Sequence, residues 1–512
     1  MQSGEDGARD EHGDLLPVLS QSATKMKFDK LMNTPLPKFG TKYPGSPLFM
    51  EIGYFCLRRV NSVIFRTHEV SGTEKIPLDR GSMCCAWHTN GLLDPINIFL
   101  SHPKKFVVGG RHDLVTRPIL GFWARKFAVQ PVVRKAELLR GGCSEEDANY
   151  MNGRSLLNLA TGISYSHGCA LFPEGTSHSE SHLIRLKTGP VRTALAAAAH
   201  AKANNHNIPV ILPIGLHFRV RHLFRTDAWV EYGDPIEIPA NELPNELIEA
   251  LGKGDWAEPP VEVVNSLRDT LREKLAPLTP DRETFSDVHK DGVIAHMRNN
   301  LQGKPTLSWR EEVLALRKLK SDPAPMEVQN LARKIGDTLD DARLDARDIN
   351  KNCDGLRGFS PVGAFSNMLK LIPMLILLPT IILGMGIQIS LGRFLGDRTD
   401  EGLDARTSYQ FLAGMFGSLI IWPIMSILTI MGYAILDPNL GFDIVNLFGD
   451  GIVNTIASLI ATFVVLIILF WASGYFFAIG WDAVSDTARW FRRRKINSEI
   501  SIDLVNLKEI LN

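Results

Sequence analysis

The sequence has no excess of charge of either sign, since its 512 residues contain 56 Lys and Arg against 56 Asp and Glu. A protein that coats DNA or RNA needs a surplus of cations to neutralise phosphates, so this balance argues against nucleic-acid binding. Cysteine is scarce as well, and the six cysteines are scattered without a CxxC pair. This pattern predicts reduced thiols and argues against a disulfide framework or a zinc finger.

The first 46 residues lack the apolar stretch of a secretory signal peptide, and they are polar and acidic near their start. We expect them to form a disordered tail. The segment that follows, 47–65, is apolar but contains Glu51, Arg58 and Arg59. A helix that crosses a bilayer needs about 20 apolar residues, so an amphipathic helix at a membrane interface fits this segment better. The alternative is a core helix of the domain that follows.

Long uncharged apolar segments are absent from the first 360 residues, and three of them follow, at 371–390, 407–436 and 451–481. Each reaches the roughly 20 residues that cross a hydrocarbon core of about 30 Å. The first contains Pro373 and Pro379, which is compatible with a kinked or re-entrant segment. The sequence therefore predicts an integral membrane protein with two or three spans, in contact with a lipid bilayer.

Between residues 69 and 238, short apolar runs alternate with amphipathic segments. This alternation predicts an α/β fold with a mixed, largely parallel sheet flanked by helices. The clearest helix start has Thr188 as N-cap and Pro190 in the first turn. The predicted strands are 83–87, 105–109, 128–133, 169–172, 209–216 and 228–238, and the predicted helices are 116–126, 152–166 and 189–203.

Residues 241–359 are charged, and apolar residues at helical spacing form a stripe from Val328 to Ile349. The stripe predicts either a partner-binding or coiled-coil helix, or a helix that lies on the preceding domain. The chain is thus divided into the following parts: a tail (1–46), an α/β domain with an interfacial N-terminal helix (47–290), a charged helical linker (291–365), a membrane region (366–485) and a basic C-terminal tail (486–512).

The first candidate for chemistry is the run WHTNGLLDP, which contains His88 and Asp94. His88 follows a predicted strand, at the edge where α/β sheets place their ligands. A histidine can accept a proton near neutral pH, and a carboxylate on its other ring nitrogen fixes the tautomer. The two residues would not share a helical face, but Gly91 permits a turn that brings them together. The competing interpretation is a structural histidine.

The second candidate is FPEGTS, in which a predicted strand ends at an acid between proline and glycine. Glu174 could accept a hydrogen bond from a substrate hydroxyl or brace the site, and Gly175 allows close approach of a ligand or a neighbouring loop. Phosphate recognition requires cations, for which Arg134 after a strand and Lys187 before a helix are candidates. The apolar strand at 210–216, which contains Pro213, predicts either a wall of an acyl-chain groove or a plain core strand.

In this order and spacing, these blocks and the later YGDPI at 232–236 resemble the glycerol-phosphate/lysophosphatidate (PlsC-type) acyltransferase superfamily. The resemblance covers about residues 48–290 and is closest to the fungal-like glycerol-3-phosphate/dihydroxyacetone-phosphate acyltransferases, a branch with C-terminal membrane spans. It implies acyl transfer from acyl-CoA to glycerol-3-phosphate or dihydroxyacetone phosphate in phospholipid synthesis, without a metal or other cofactor. A lysophosphatidate or another lysophospholipid is the alternative acceptor.

The resemblance also implies roles for individual residues. His88 would be the general base and Asp94 its orienting acid. Substrate binding would involve Arg134, Glu174, Gly175, Thr176 and Lys187. The sequence departs from the common pattern in three places: five residues instead of four separate the His from the Asp, Ala128 replaces a glycine, and Ser177-His178 stands where an arginine usually follows EGT.

Other classes fit the residues less well. His178 and His182 have the spacing of zinc ligands on a helix, but Glu180 would lie off that face. GTSHS at 175–179 lacks the second glycine of a serine nucleophile elbow. A non-enzymatic membrane scaffold, in which the helical stripe and the spans do the work, is the alternative from a different class.

The distribution of Arg and Lys predicts the topology. The cluster from Arg489 to Lys495 and the loop at 391–406 should be cytoplasmic, and the acidic loop at 437–450 should be external. Three full crossings would then place the α/β domain outside, away from a cytosolic acyl donor, whereas a re-entrant first segment keeps the active site cytoplasmic. The predicted membrane is the endoplasmic reticulum in a eukaryote or the inner membrane in a bacterium.

Overall fold

The computed structural model describes residues 9, 13, 25–139, 141–398, 403–436, 444–445 and 447–511, with only the backbone of 135–136, 403–405, 434 and 436. About half of the tail expected at 1–46 lies outside these residues, and the part at 25–46 contains a short helix, Phe28–Met32, with Leu31 buried. The strands are β1 (Phe65–Ser71), β2 (Ser82–Ala86), β3 (Phe106–Val107), β4 (Gly109–Arg111), β5 (Gln130–Val132), β6 (Gly168–Ala170), β7 (Val210–Phe218), β8 (Thr226–Tyr232) and β9 (Ile236–Glu237).

Helices surround these strands and make up the C-terminal part of the chain. They are α1 (Phe28–Met32), α2 (Pro47–Ile64), α3 (Leu93–Ser101), α4 (His112–Thr116), α5 (Pro118–Lys126), α6 (Lys135–Leu139), α7 (Glu145–Ser164), α8 (Gly189–Ala203), α9 (Asn245–Lys253), α10 (Val261–Leu275), α11 (Phe285–Leu301), α12 (Trp309–Ser321), α13 (Met326–Asp341), α14 (Pro361–Ile376), α15 (Leu378–Asp397), α16 (Leu403–Leu436) and α17 (Ile452–Leu511). Short 3₁₀ helices occur at Thr73–Lys75, Ala240–Glu242, Ala276–Leu278 and Ala346–Asp348.

The main sheet has the order β1-β8-β7-β2-β6-β3, and β9 pairs with β7. Its central pairs β7–β2, β2–β6 and β6–β3 are parallel, whereas β8 and β9 run antiparallel to β7. All of β2 is buried, as expected for a strand covered on both faces. Burial also raises the pKa of the Cys84 thiol to about 12, which makes it inert. The expected mixed, largely parallel sheet flanked by helices is confirmed.

Individual elements match the sequence predictions to different degrees. The helix predicted at 189–203 is confirmed as α8, but its predicted cap is wrong, because Thr188 is itself near-helical and makes no side-chain capping bond. The strand predicted at 228–238 is two strands, β8 and β9, since Gly233 and Pro235 interrupt the run. Strand β1 was not predicted, because its sequence, FRTHEVS, is largely polar.

A second, helical core lies beside the sheet. The stripe residues Val328, Ile335 and Leu339 of α13 are buried in one cluster with residues of α11 and with Leu504 and Leu507 of α17. The stripe thus packs within the chain. Helix α17 contains 60 residues and is therefore about 90 Å long. The basic residues expected in a tail after 486 lie within this helix.

Ion pairs join the helical core to the sheet. Arg219, at the end of β7, contacts Asp227 at 2.8 Å and Glu312 of α12 at 2.6 Å. Asp345 lies between Arg347 at 3.1 Å and Arg489 of α17 at 3.2 Å. Burial raises the pKa of the Asp345 carboxyl, but these guanidinium groups outweigh it and hold that pKa below its usual range. The network fixes the C-terminal part of α17 against the α/β domain.

Among the described residues, three helices are long and apolar enough to cross a membrane, at 378–397, 406–433 and within 452–511. Their outward-facing apolar side chains, such as Ile427 and Ile460, are about half exposed or more, as expected for a lipid-facing surface. The chain is therefore associated with a membrane. The first predicted segment, 371–390, is divided between α14 and α15, with the break at Leu377 and Pro379 in the first turn of α15.

Candidate active site

The candidate residues lie at one edge of the main sheet. His88 follows β2 and Glu174 follows β6, and these two strands are adjacent and parallel. Because parallel strands present their carboxyl ends at the same edge, the two loops meet. The backbone N–H of His178 donates to the carbonyl of His88 at 3.1 Å and ties the loops together.

His88 and Asp94 form the predicted pair. The distance between His88 Nδ1 and Asp94 Oδ2 is 2.9 Å, and Asp94 is fully buried in the first turn of α3. The same oxygen accepts the backbone N–H groups of Thr89 and Asn90, each at 2.8 Å. Gly91 has a φ of +43°, which confirms the expected turn. A carboxylate on Nδ1 selects the tautomer whose basic nitrogen is Nε2.

The ring of His88 is held in a defined orientation. It stacks on Phe172 with the ring centroids 3.9 Å apart, and its side chain is 16% exposed. A histidine with one nitrogen bonded to a buried carboxylate and its ring fixed by stacking is suited to accept a proton at the other nitrogen.

Glu174 is buried and acts within the protein. Its Oε2 accepts the backbone N–H of His88 at 2.9 Å, and its Oε1 accepts that of Ile184 at 3.1 Å. The Nε2 of His178 lies 2.9 Å from Oε1. Of the two roles that the sequence left open for Glu174, this geometry favours bracing over contact with a substrate hydroxyl.

Gly175 and Lys187 lie side by side. Gly175 has a φ of +75°, and a Cβ at this position would lie 3.3 Å from Lys187 Cγ. The backbone N–H of Lys187 donates to the carbonyl of Pro173. Thr176 donates its hydroxyl to the carbonyl of Ser177 at 3.2 Å. The structure therefore brings Lys187 and Thr176 to the loop that Glu174 braces.

The segment 177–188 is not helical, so the zinc-ligand spacing of His178 and His182 does not apply.

Arg134 lies outside the main sheet and is paired with a carboxylate. It follows β5 in a separate two-stranded sheet, β4–β5, and its Nε donates to Glu137 at 2.7 Å. Within the part of the chain that the structure describes, no contact joins Arg134 to His88 or Glu174. Arg111, at the end of β4, lies beside β5. This arginine was not singled out from the sequence, because the short strand GGR gives no periodic signal.

Two further residues missed in the sequence support the His88 loop. Arg221 Nη1 donates to the carbonyls of Thr89 at 3.2 Å and His178 at 2.8 Å. Asn90 Nδ2 donates to the carbonyl of Arg221 at 3.0 Å. These partners are far apart in the chain, so no local pattern could have indicated them.

A cavity of about 420 Å³ lies between this loop and the helical core. Its lining includes Trp87 and Thr89, which flank His88, and Phe285, Trp309 and Leu316 from the helices. This volume is within the usual range for ligand pockets. Arg317, which also lines the cavity, contacts Glu231. Burial raises the pKa of the Glu231 carboxyl, but hydrogen bonds from Arg317 and His217 outweigh this effect and lower the pKa to about 2.

Residues 67–216 match the family model described as Acyltransferase. This part of the chain is similar to acyltransferases. The matched acyltransferase region contains all the proposed site residues, from His88 to Lys187. The resemblance to acyltransferases noted in the sequence is thereby confirmed for this region.

Curated relatives of the acyltransferase region include two proteins of Saccharomyces cerevisiae. Glycerol-3-phosphate O-acyltransferase 1 is 33% identical over 129 residues, which is 25% of this chain and 16% of the relative. Glycerol-3-phosphate O-acyltransferase 2 is 33% identical over 103 residues, 20% of this chain and 14% of the relative. The matches thus cover about a sixth of the relatives' length. The solved lysophosphatidate acyltransferase PlsC from Thermotoga maritima is 17% identical, with a TM-score of 0.28 over 43% of this chain and 80% of that one.

Proposed function

We propose that the protein transfers a fatty acyl group from acyl-CoA to the hydroxyl of glycerol-3-phosphate or dihydroxyacetone phosphate at a membrane surface. The observation that carries the proposal is the 2.9 Å contact between His88 and the buried Asp94, within a region that matches the acyltransferase family. Names of relatives that specify glycerol-3-phosphate support this choice of acceptor.

The proposed reaction is a direct transfer. The acceptor hydroxyl gives its proton to His88 Nε2 while its oxygen attacks the thioester carbonyl. The new C–O bond forms, the C–S bond breaks, and the imidazolium returns the proton to the departing sulfur, which leaves as the CoA thiol. Asp94 stabilises the imidazolium. A single base suffices because both substrates bind beside it, so no covalent acyl-enzyme is required.

The acceptor phosphate requires cations near this base. Lys187, beside Gly175, is the candidate on the same loop as Glu174. Arg111 ends β4 of the smaller sheet and Arg134 follows β5, and each is paired with a nearby carboxylate, Asp113 and Glu137 respectively. We propose Lys187, together with the loop residues Gly175 and Thr176, for the acceptor side, and Arg134 as a further contributor.

The proposal is tested with membranes that contain the expressed protein and one labelled acyl-CoA. The acceptors are glycerol-3-phosphate, dihydroxyacetone phosphate, lysophosphatidate and lysophosphatidylcholine. We expect acylated product with one of the first two and little with the lysophospholipids. If product forms with lysophosphatidate alone, the proposed acceptor is wrong and lysophosphatidate takes its place. If no acceptor is acylated, the result favours a non-enzymatic membrane scaffold.

We further propose that α14 and α15 form a re-entrant hairpin and that α16 and α17 span the membrane. The ring of Phe359, just before α14, lies 5.8 Å from that of Trp490 on α17. At the other end of the hairpin, Gly396 packs against Arg406 of α16. Both ends lie near the α/β domain: Asp486, one helical turn before Trp490, binds Arg66 at 2.7 Å, and Thr407, next to Arg406, bonds to Asn90. Both ends of α14–α15 then lie on the side of the catalytic domain, which is cytoplasmic in this topology.

This topology predicts which positions are accessible from the cytosol. In a chain whose half-buried Cys56 and Cys143 are replaced with serine, Phe359→Cys and Arg398→Cys should both react with a membrane-impermeant maleimide in sealed microsomes. Leu447→Cys, in the loop before α17, should react only after permeabilisation. Labelling of Phe359→Cys and Arg398→Cys from opposite sides would instead indicate a full crossing.

A further inference from the structure

The turn between His88 and Asp94 is held from two sides. On the domain side, Asn90 Nδ2 donates to the carbonyl of Arg221 at 3.0 Å. Inside the turn, the backbone N–H of Asn90 donates to Asp94 Oδ2 at 2.8 Å. Any movement of Asn90 therefore moves a hydrogen-bond donor of the carboxylate that orients His88.

The other side of the turn is held by the apolar helix α16. The hydroxyl of Thr407 donates to Asn90 Oδ1, and Thr407 is buried. The next residue, Ser408, accepts the backbone N–H of Leu92 at 2.9 Å through its Oγ. Leu92 is the residue that precedes α3, so this bond satisfies one of the free N–H groups at the start of the helix that carries Asp94.

Apolar packing continues this contact along α16. Phe411 is fully buried, and Met415 is nearly so, in a cluster with Leu93 and Ile96 of α3. Leu93 is the immediate neighbour of Asp94. Helix α16 is thus fixed to α3 by both hydrogen bonds and buried apolar surface, and no bound group is needed to complete the contact.

We propose that Thr407 and Ser408 are positioning residues of the active site, through which the membrane helix α16 sets the geometry of the His88–Asp94 pair. The proposal rests on the function proposed above. Both residues lie outside 67–216, the part of the chain that matches the acyltransferase family. They act through Asn90 and Leu92 and do not contact the reacting atoms. Catalysis in this chain then depends on α16 being seated against the domain.

The test removes the two hydroxyls and measures kcat and KM separately. In Thr407→Val with Ser408→Ala, we expect kcat to fall by about ten-fold to a hundred-fold, because small displacements of a catalytic group have effects of this size. KM for acyl-CoA should change less than about three-fold, since no substrate contact is lost. Thr407→Ser keeps the hydroxyl and should restore most of the activity that Thr407→Val loses.

The matched control is Thr429→Val on the same helix. The hydroxyl of Thr429 donates to the carbonyl of Met425 within α16, so its removal should leave kcat unchanged. A double variant with the kcat of Thr429→Val, or an increase in KM alone, would overturn the proposal. So would a Thr407→Ser variant as impaired as Thr407→Val.

A second measurement does not depend on turnover. Hydrogen exchange at the Leu92 amide should accelerate about ten-fold in Ser408→Ala, and the same amide should be unaffected in Thr429→Val. If the unsubstituted protein acylates no acceptor but this amide responds, the proposed function fails and the structural link stands. If the protein is active and the amide does not respond, the link fails alone.

Discussion

Replacing His88 with alanine should lower kcat/KM for acyl transfer by about a hundred-fold to ten-thousand-fold, the usual contribution of a general base. The side chain has its Nδ1 engaged by Asp94 and its ring stacked on Phe172, so Nε2 is the nitrogen that can accept the acceptor's proton. The variant should be measured in membranes with saturating acyl-CoA and the preferred acceptor. Its amount in the membrane should equal that of the unsubstituted protein.

The matched control for this variant is His206→Ala. His206 follows α8, where its Nδ1 lies 3.1 Å from the Ser164 hydroxyl and its ring packs against Tyr165. This replacement removes an imidazole from the same domain but away from the sheet edge, and it should leave kcat/KM within about two-fold. Turnover in His88→Ala equal to that of His206→Ala would remove His88 from the mechanism.

The local part of the site could be predicted from the sequence, because it is built from short spacings. His88, Gly91 and Asp94 lie within a single loop, and a positive φ at the glycine is enough to bring the two side chains to 2.9 Å. The carboxyl edge of adjacent parallel strands then places Glu174 beside them. These contacts follow from chain connectivity and sheet topology alone.

The distant contacts could not be predicted. Asn90 binds Arg221 and Thr407, which are 131 and 317 positions away, and no periodicity or composition indicates such partners. The family resemblance assigns Arg134 to substrate binding, and the structure adds that its guanidinium bonds to Glu137. An arginine at the end of a strand has a long side chain, so the position of its backbone does not determine where its charge lies.

In the membrane region, too, local features could be predicted from the sequence and contacts between distant segments could not. Length and absence of charge identified the apolar segments, but whether a segment crosses or returns depends on its packing against its neighbours. The break between α14 and α15 follows from local prolines and could be expected. The position of Gly396 beside Arg406 depends on how α15 packs on α16, which hydropathy does not encode.

Replacing Asp94 with asparagine should lower kcat by about a hundred-fold to ten-thousand-fold with little change in KM. An asparagine can still accept the backbone N–H groups of Thr89 and Asn90 through its oxygen, so the turn should persist. Because the same oxygen position also faces His88 Nδ1, the asparagine should keep this contact with the ring but lack the negative charge of the carboxylate. The imidazolium that forms when His88 accepts the acceptor's proton would then lose the charge that stabilises it.

Asparagine is the informative substitution, because alanine would also leave two backbone donors without an acceptor, at a cost of about 1–3 kcal/mol each. The comparison variant is Asp269→Asn on α10, whose carboxylate is exposed and pairs with its neighbour Arg268. It should match the unsubstituted protein in kcat and in thermal stability. If Asp94→Asn retains full kcat while keeping its fold, the charge of the carboxylate does not stabilise the His88 imidazolium, and the role of Asp94 is confined to holding the turn.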